Sequence, residues 1–157
     1  FNDAIAHHIR TKYNLLIGEI TAERLKIAAG SCVPLEEEIQ VEVRGRDSLV
    51  NLPRRAIITS QDVREALQEP VRKVIGAIKS VLERTPPELA SDLVDTGITL
   101  CGGGSLLRGL PDLIARETEL DVRVAERPLE AVARGTGIFL ENLELYSQFL
   151  EGGEDLA

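Results

Sequence analysis

Apolar side chains recur at helical spacing at the start of the chain. Ile5, Ile9, Tyr13 and Leu16 fall three and four residues apart, which predicts a helix over 3–17. Gly18 is its natural stop, because glycine accepts the left-handed conformation that ends helices. Thr21 is a candidate N-cap for a second helix over 21–29, closed by Gly30, with Ala22, Leu25, Ala28 and Ala29 on a small apolar face. The rhythm then changes. Ile39, Val41 and Val43 alternate with Gln40, Glu42 and Arg44, the two-residue period of a strand. A turn at 45–48 and a short apolar stretch at 56–59 complete two or three half-exposed antiparallel strands.

Ser60 is placed to cap a long helix over 60–84. Val63, Leu67, Val71, Val74, Ile78 and Val81 line one face, with Leu82 beside it. Pro70 interrupts that face. A mid-helix proline loses one backbone hydrogen bond and crowds the preceding turn, so a kink is expected. Pro86 and Pro87 end the element, and 89–93 reads as a short helix. The last third alternates strand and helix. An apolar strand at 98–101 runs into Gly102, Gly103 and Gly104. Ser105 opens a helical stretch split by Pro111, 122–125 is a second strand, and 129–150 is helical. Gly135 and Gly137 sit inside that last helix at about 1 kcal/mol each, which implies a close neighbouring backbone or ligand. The tail at 151–157 is acidic and is expected to fray. There is no internal repeat and no linker long enough to separate independent domains.

Composition narrows the function classes. The 157 residues are 43% apolar and 28% charged, the balance of a folded chain forming one domain or part of a larger one. Eighteen Lys and Arg against 26 Asp and Glu leave a net charge of −8. Without a basic cluster, that argues against non-specific nucleic-acid binding. No apolar run approaches the roughly 20 residues of a transmembrane segment, and no charged-then-apolar signal sequence opens the chain. Cys32 and Cys101 are isolated thiols, the pattern of a reducing cytoplasmic compartment rather than a disulfide framework. The chain lacks Met and opens on Phe1, so it is expected to be a fragment, with part of any active site elsewhere.

The sharpest local feature runs from Ile98 to Gly109: an apolar strand, three glycines, then a helical stretch. Glycines let a ligand approach the backbone, and N–H groups at a helix start favour negative charge. On spacing alone, a tight strand-to-helix turn without a ligand is the more economical reading. Sharper motifs fail here. The dinucleotide fingerprint and the nucleophile elbow both require glycine where Leu107 stands, and no Lys-Ser or Lys-Thr pair follows to make a P-loop.

A second feature spans Gly18 to Lys26. A carboxylate such as Glu23 can accept hydrogen bonds from both ribose hydroxyls. An Arg24 or Lys26 stem can lie on an adenine ring while its charge stays solvated. Seen alone, a solvated helix face explains these residues better. His7 and His8 point about 100° apart on a helix, and no His or Cys pair has zinc spacing. Cys101 reads as a small buried apolar residue. Glu36, Glu37 and Glu38 read as a solvated loop, and Asp92, Asp95, Glu117 and Glu119 form no acid–base couple.

In order and wording, these stretches resemble the C-terminal half of the MreB/Mbl family of bacterial actin-like rod-shape proteins. The resemblance is carried by Tyr13 to Glu19, Thr21 to Arg24 with Lys26, Val41 to Asp47, Glu65 to Pro70 and Thr85 to Ala90. It continues through Leu100 to Gly109, Val124 to Glu126, Pro128-Leu129 and Ala133 to Gly137. It covers the chain to about Asn142, and Cys101 departs from it where the family often has Thr.

The resemblance implies an α/β fold: a fragment of domain II of an actin-like, ribonuclease H-like ATPase, with a mixed sheet, flanking helices and a small α+β subdomain. Residues 1–97 would be the smaller subdomain with its flanking helices, 98–150 part of the larger one, and 151–157 a tail. It further implies that Gly103, Gly104, Ser105 and Leu106 line a nucleotide, with Gly102 shaping the turn. Glu23, Arg24, Leu25 and Lys26 would contact ribose and adenine, with Glu19 nearby. The cofactor would be ATP or ADP with Mg, the metal and phosphates being held by segments outside this chain, which alone would not hydrolyse ATP.

The implied partners are further copies in a head-to-tail homopolymer, together with cell-wall synthesis and membrane-associated shape proteins. The implied location is the cytoplasmic face of the membrane. Two other classes compete: another actin-like ATPase, such as a DnaK-type chaperone or a sugar kinase, and a non-enzymatic interaction domain whose glycines are only structural.

Overall fold

The computed structural model describes residues 1–147; the end of the expected C-terminal helix and the acidic tail lie outside them. Helix α1 (Asn2–Tyr13) buries Ile5 and Ile9 and stops earlier than its apolar spacing implies. Asn14 takes the left-handed conformation, φ 51°, a role asparagine shares with glycine at helix ends. Leu15–Leu16 is then a strand, β1, not a further helical turn. Gly18 consequently ends no helix. It is the N-cap of α2 (Glu19–Ala29), and Thr21 lies inside that helix rather than capping it.

Strands β2 (Gln40–Asp47) and β3 (Pro53–Thr59) form an antiparallel hairpin with Val43 opposite Ala56. β1 joins its edge, Leu15 opposite Asp47 and Leu16 opposite Arg46. β2 runs straight through Gly45, where a turn is expected from sequence. A Cβ there would lie 2.3 Å from the Leu16 carbonyl oxygen, so the glycine admits β1 rather than turning the chain. The turn falls at 47–52 and is built by Asp47. Its Oδ1 accepts the N–H groups of Leu49 at 2.8 Å and Val50 at 3.2 Å, and its Oδ2 accepts from Arg54 at 2.9 Å. Those backbone bonds, with Arg54 behind them, hold the Asp47 carboxyl below its usual range.

Helix α3 (Ser60–Arg84) is continuous across Pro70. Its N-cap is Thr59, not Ser60. The Thr59 hydroxyl accepts from the Asp62 N–H while the Asp62 carboxylate accepts from the Thr59 N–H, a reciprocal capping box. The Ser60 hydroxyl instead accepts the Ile39 N–H at 2.8 Å and donates to Glu38. Glu38 also pairs with Arg64 at 2.8 Å. One of the three glutamates of the supposed solvated loop is therefore a joint to α3.

Helix α4 (Pro87–Thr96) is longer than expected. Strand β4 (Ile98–Leu100) pairs in parallel with β5 (Val122–Val124), and α5 (Leu110–Thr118) crosses between them. Pro111 lies in the first turn of α5, where its missing N–H costs nothing, so it starts a helix instead of splitting one. The expected helix from 129 is two: α6 (Ala131–Glu141) and α7 (Leu143–Tyr146), interrupted at Asn142. A Cβ on Gly135 or Gly137 would meet nothing within 4 Å among the described residues. A continuous core joins the pieces: Ile5 and Ile9 of α1, Leu25 of α2, Ile58 of β3, Val63 and Leu67 of α3, and Ile114 of α5. Cys101 is exposed rather than buried, while Cys32 is half-buried and burial pushes its thiol up to about 11.

Candidate functional site

The two segments singled out in the sequence meet. A cleft of about 430 Å³ lies between α2 and the turn that follows β4. Glu23, Lys26, Ile27 and Gly30 line one wall, three and four residues apart on one face of α2. Gly103, Gly104 and Leu106 line the other, with Leu129 and Phe1 at the rim. The turn is a single 3-10 turn, Gly103–Leu106, not the opening of an α-helix. Gly102 has φ 81°, a conformation that side chains resist, and so lets β4 break sharply into the turn.

Not every anticipated residue faces this space. Leu25 is 1% exposed and packs in the core, because it lies about 200° around α2 from Glu23 and from Ile27. Ser105 is buried, and its hydroxyl donates to the Gly102 carbonyl at 2.7 Å, which closes the turn from behind. Arg24 points around the helix toward Val41–Arg44 of the hairpin, where a separate depression lies. Glu19 is exposed in the first turn of α2, one turn before Glu23 on the same face, and stands outside the cleft lining. Ile27, Gly30, Leu107, Arg108 and Leu129 also line the cleft, although the sequence assigns none of them a contact with a ligand. The four-residue step from Glu23 to Ile27 is the signal that points to the first of them.

The polar side of the cleft is internally paired. Lys26 donates to Glu23 at 2.7 Å and to the Asn2 amide oxygen at 3.1 Å, and the Asn2 amide donates to Glu23 at 2.7 Å. The Lys26 ammonium first, then Asn2, hold the Glu23 carboxyl below its ordinary value. The apolar side is open: Ile27 is 68%, Leu106 57% and Leu129 72% exposed. An ionised carboxylate beside three exposed aliphatic side chains and a bare glycine backbone suits a ligand with a flat apolar body and vicinal hydroxyls.

A second cluster of titratable groups is structural. His8, Asp62 and Glu65 offer ligand atoms within 4.8 Å of one another. The Lys12 ammonium already occupies that position, 2.7 Å from Asp62 and 3.0 Å from Glu65. A cation is thus supplied by the chain itself.

The fold is that of actin-like proteins. MreB5 of Spiroplasma citri bound to ADP superposes with a TM-score of 0.86 at 36% identity, over 94% of this chain and 45% of that one. The MamK double helical filament shares the fold alone, at a TM-score of 0.65 and 20% identity. The chain belongs to the MreB/Mbl protein family, whose model matches residues 1–148. Among its relatives are the cell shape-determining proteins Mbl of Bacillus cereus, 46% identical over 92% of this chain, and MreB of Escherichia coli K12, 46% identical over 93%. The chain spans 43% and 42% of the length of these two. No helix among the described residues is long and apolar enough to cross a membrane.

Proposed function

We propose that this chain is part of an ATP-binding, filament-forming cytoskeletal protein that sets rod shape by organising cell-wall synthesis. In this reading it supplies the adenosine side of the nucleotide site. The observation that carries the proposal is the single cleft in which Glu23 and Lys26 face Gly103 and Gly104 across exposed aliphatic side chains. Glu23 accepts hydrogen bonds from the ribose, Lys26 keeps it ionised, Ile27 and Leu106 flank the base, and the glycines admit the ligand to the backbone. The related MreB5 has been solved with ADP and with AMPPNP, which supports an adenine nucleotide here.

The cleft's one carboxylate is already engaged by Lys26 and Asn2. Residues of this chain therefore do not fit a magnesium ion at this wall, and the metal, the phosphates and hydrolysis belong to other segments of the intact protein. Closure of two domains around the nucleotide would fix the subunit geometry for head-to-tail contacts. The division near residue 97 between a smaller and a larger subdomain, the association with cell-wall and membrane-bound shape proteins, and a place at the cytoplasmic face of the membrane belong to the same reading.

Photo-crosslinking of the intact protein with an azido-ATP tests it. Label within 19–26 or 102–106 is the expected outcome. Label confined elsewhere overturns it in favour of a plain interaction domain.

The hairpin tip favours self-association. Leu49, Val50 and Leu52 are 74%, 64% and 64% exposed there, a small apolar knob of the kind that marks an interaction surface. Changing Leu49 and Leu52 together to Asp is expected to abolish ATP-dependent sedimentation of the intact protein while leaving its ADP affinity unchanged. Pelleting and titration of the same variant check both halves of that statement.

A further inference from the structure

Arg108 lies near the end of the Ile98–Gly109 stretch, where the sequence gives it no role, yet it joins that stretch to α2. Its guanidinium Nη1 donates to the carbonyls of Ala28 and Gly30, each at 3.1 Å. Those are carbonyls at the C-terminal end of α2, which lack helical partners and carry the negative end of the helix dipole. The backbone of Arg108 engages the same stretch from the other direction: its carbonyl accepts the Cys32 N–H at 2.8 Å, and Ser31 and Arg108 form an isolated parallel bridge.

The flanking residues interlock as tightly. A Cβ on Gly30 would lie 2.9 Å from Leu107 Cδ1 and 2.3 Å from the Lys26 carbonyl oxygen. A Cβ on Gly109 would lie 2.7 Å from a Val33 methyl, at a φ of 73°. Residues 30–33 and 107–109 therefore mesh by a charged side chain, a backbone bridge and two glycine contacts. One strand of this mesh leads directly back to Lys26 and Glu23, the other to Leu106 and Gly104.

We propose that Arg108 is the positioning residue of the cleft: it clasps the end of α2 and so sets the spacing at which Glu23 and the glycine turn receive a nucleotide. The inference rests on the adenosine-site reading above. The clasp acts through geometry, not through contact with the nucleotide. Walls that are not held at the right spacing must be ordered at the ligand's expense, so a loss of about tenfold in affinity is expected when the clasp is cut.

The test is a titration of the intact protein with fluorescent ADP, with nucleotide-free melting recorded alongside. Arg108→Met keeps an apolar stem along the cleft and deletes the guanidinium. Arg108→Lys restores a cation able to reach a carbonyl. Gly109→Ala strains the mesh from outside the cleft.

Measured at a temperature where circular dichroism shows each variant folded, Arg108→Met is expected to weaken ADP about tenfold, Gly109→Ala to weaken it in the same direction, and Arg108→Lys to recover part of the loss. An Arg108→Met protein that binds within about twofold of wild type overturns the inference. So does a weak Arg108→Met beside an unaffected Gly109→Ala, since the arginine would then touch the ligand itself. Should Met or Ala prevent folding, Arg108→Lys decides: weakening of less than about tenfold supports the clasp, and weakening of tenfold or more, about what deletion of the guanidinium would give, overturns it. Failure of the wild type to bind any adenine nucleotide instead overturns the adenosine-site reading, and this inference with it.

Discussion

Replacing Asp62 by Ala is expected to lower the melting temperature by about 10 °C, a loss of about 3 kcal/mol for a chain of this size. Its side chain is only 3% exposed. It receives Lys12 at 2.7 Å, the Tyr13 hydroxyl at 2.8 Å, and the Thr59 N–H and hydroxyl at 2.7 Å each. Alanine thus removes the carboxylate half of the α3 capping box and the joint between α1 and α3 together, while the Thr59 hydroxyl keeps the backbone N–H of residue 62. Lys12 remains half-exposed and near Glu65, which keeps the cost toward the lower end of what a broken buried pair imposes.

The same carboxyl gives a pH dependence. Burial alone would raise it; Lys12, then the Thr59 N–H and hydroxyl and the Tyr13 hydroxyl, outweigh burial and hold it at about 2, against an ordinary 3.8. A folded-state value below the unfolded one stabilises above the unfolded pKa and ceases to do so as pH falls through the folded one. About 2 kcal/mol should therefore be present at neutral pH and disappear between roughly pH 4 and pH 2. Urea unfolding at a series of pH values measures it, and in Asp62→Asn this part of the acid dependence should vanish.

The order of helices and strands was largely legible in the sequence because each long element buries one face. Val63, Leu67 and Val71 announce α3, and the alternation at Val41 and Val43 announces β2. The boundaries were less legible, because they are set by single residues answering to partners far along the chain. Asn14 ends α1 where Leu16 would continue the helical spacing, since Leu15 and Leu16 are claimed by Arg46 and Asp47 thirty residues later. Gly45 looks like a turn and is instead the gap into which β1 fits.

The candidate site shows the same limit. Glu23, Lys26, Gly103 and Gly104 carry recognisable chemistry and converge. Leu25 and Ser105 share their segments but point away, because a helix and a 3-10 turn expose only part of their circumference. Arg108 could not be read from spacing at all: its partners are the carbonyls of Ala28 and Gly30, some eighty residues upstream, and a backbone carbonyl leaves no trace in a pattern of side chains.

Glu23→Gln is expected to raise the ADP dissociation constant of the intact protein by roughly 30- to 100-fold, about 2–3 kcal/mol for two hydrogen bonds to a charged acceptor. The isosteric amide keeps the cleft's shape, so the loss reports on charge and not on packing. It also changes what the site discriminates. If the carboxylate accepts from both ribose hydroxyls, wild type should bind 2′-deoxy-ADP about tenfold more weakly than ADP, and the variant should tell them apart by less than about threefold.

The pH profile separates this role from a merely structural one. Lys26 and Asn2 hold the Glu23 carboxyl below its ordinary 4.5, so it stays ionised throughout the neutral and mildly acidic range. The ratio of wild-type to Glu23→Gln affinity, in which titration of the nucleotide's own phosphate cancels, should then be flat from about pH 8 to pH 5 and fall only as the carboxyl protonates below its ordinary value. Calorimetric titration across that range, with ADP and its 2′-deoxy analogue side by side, measures both. An unchanged preference for the ribonucleotide in Glu23→Gln would place the sugar elsewhere than against α2, and with it the orientation of the whole nucleotide in the cleft.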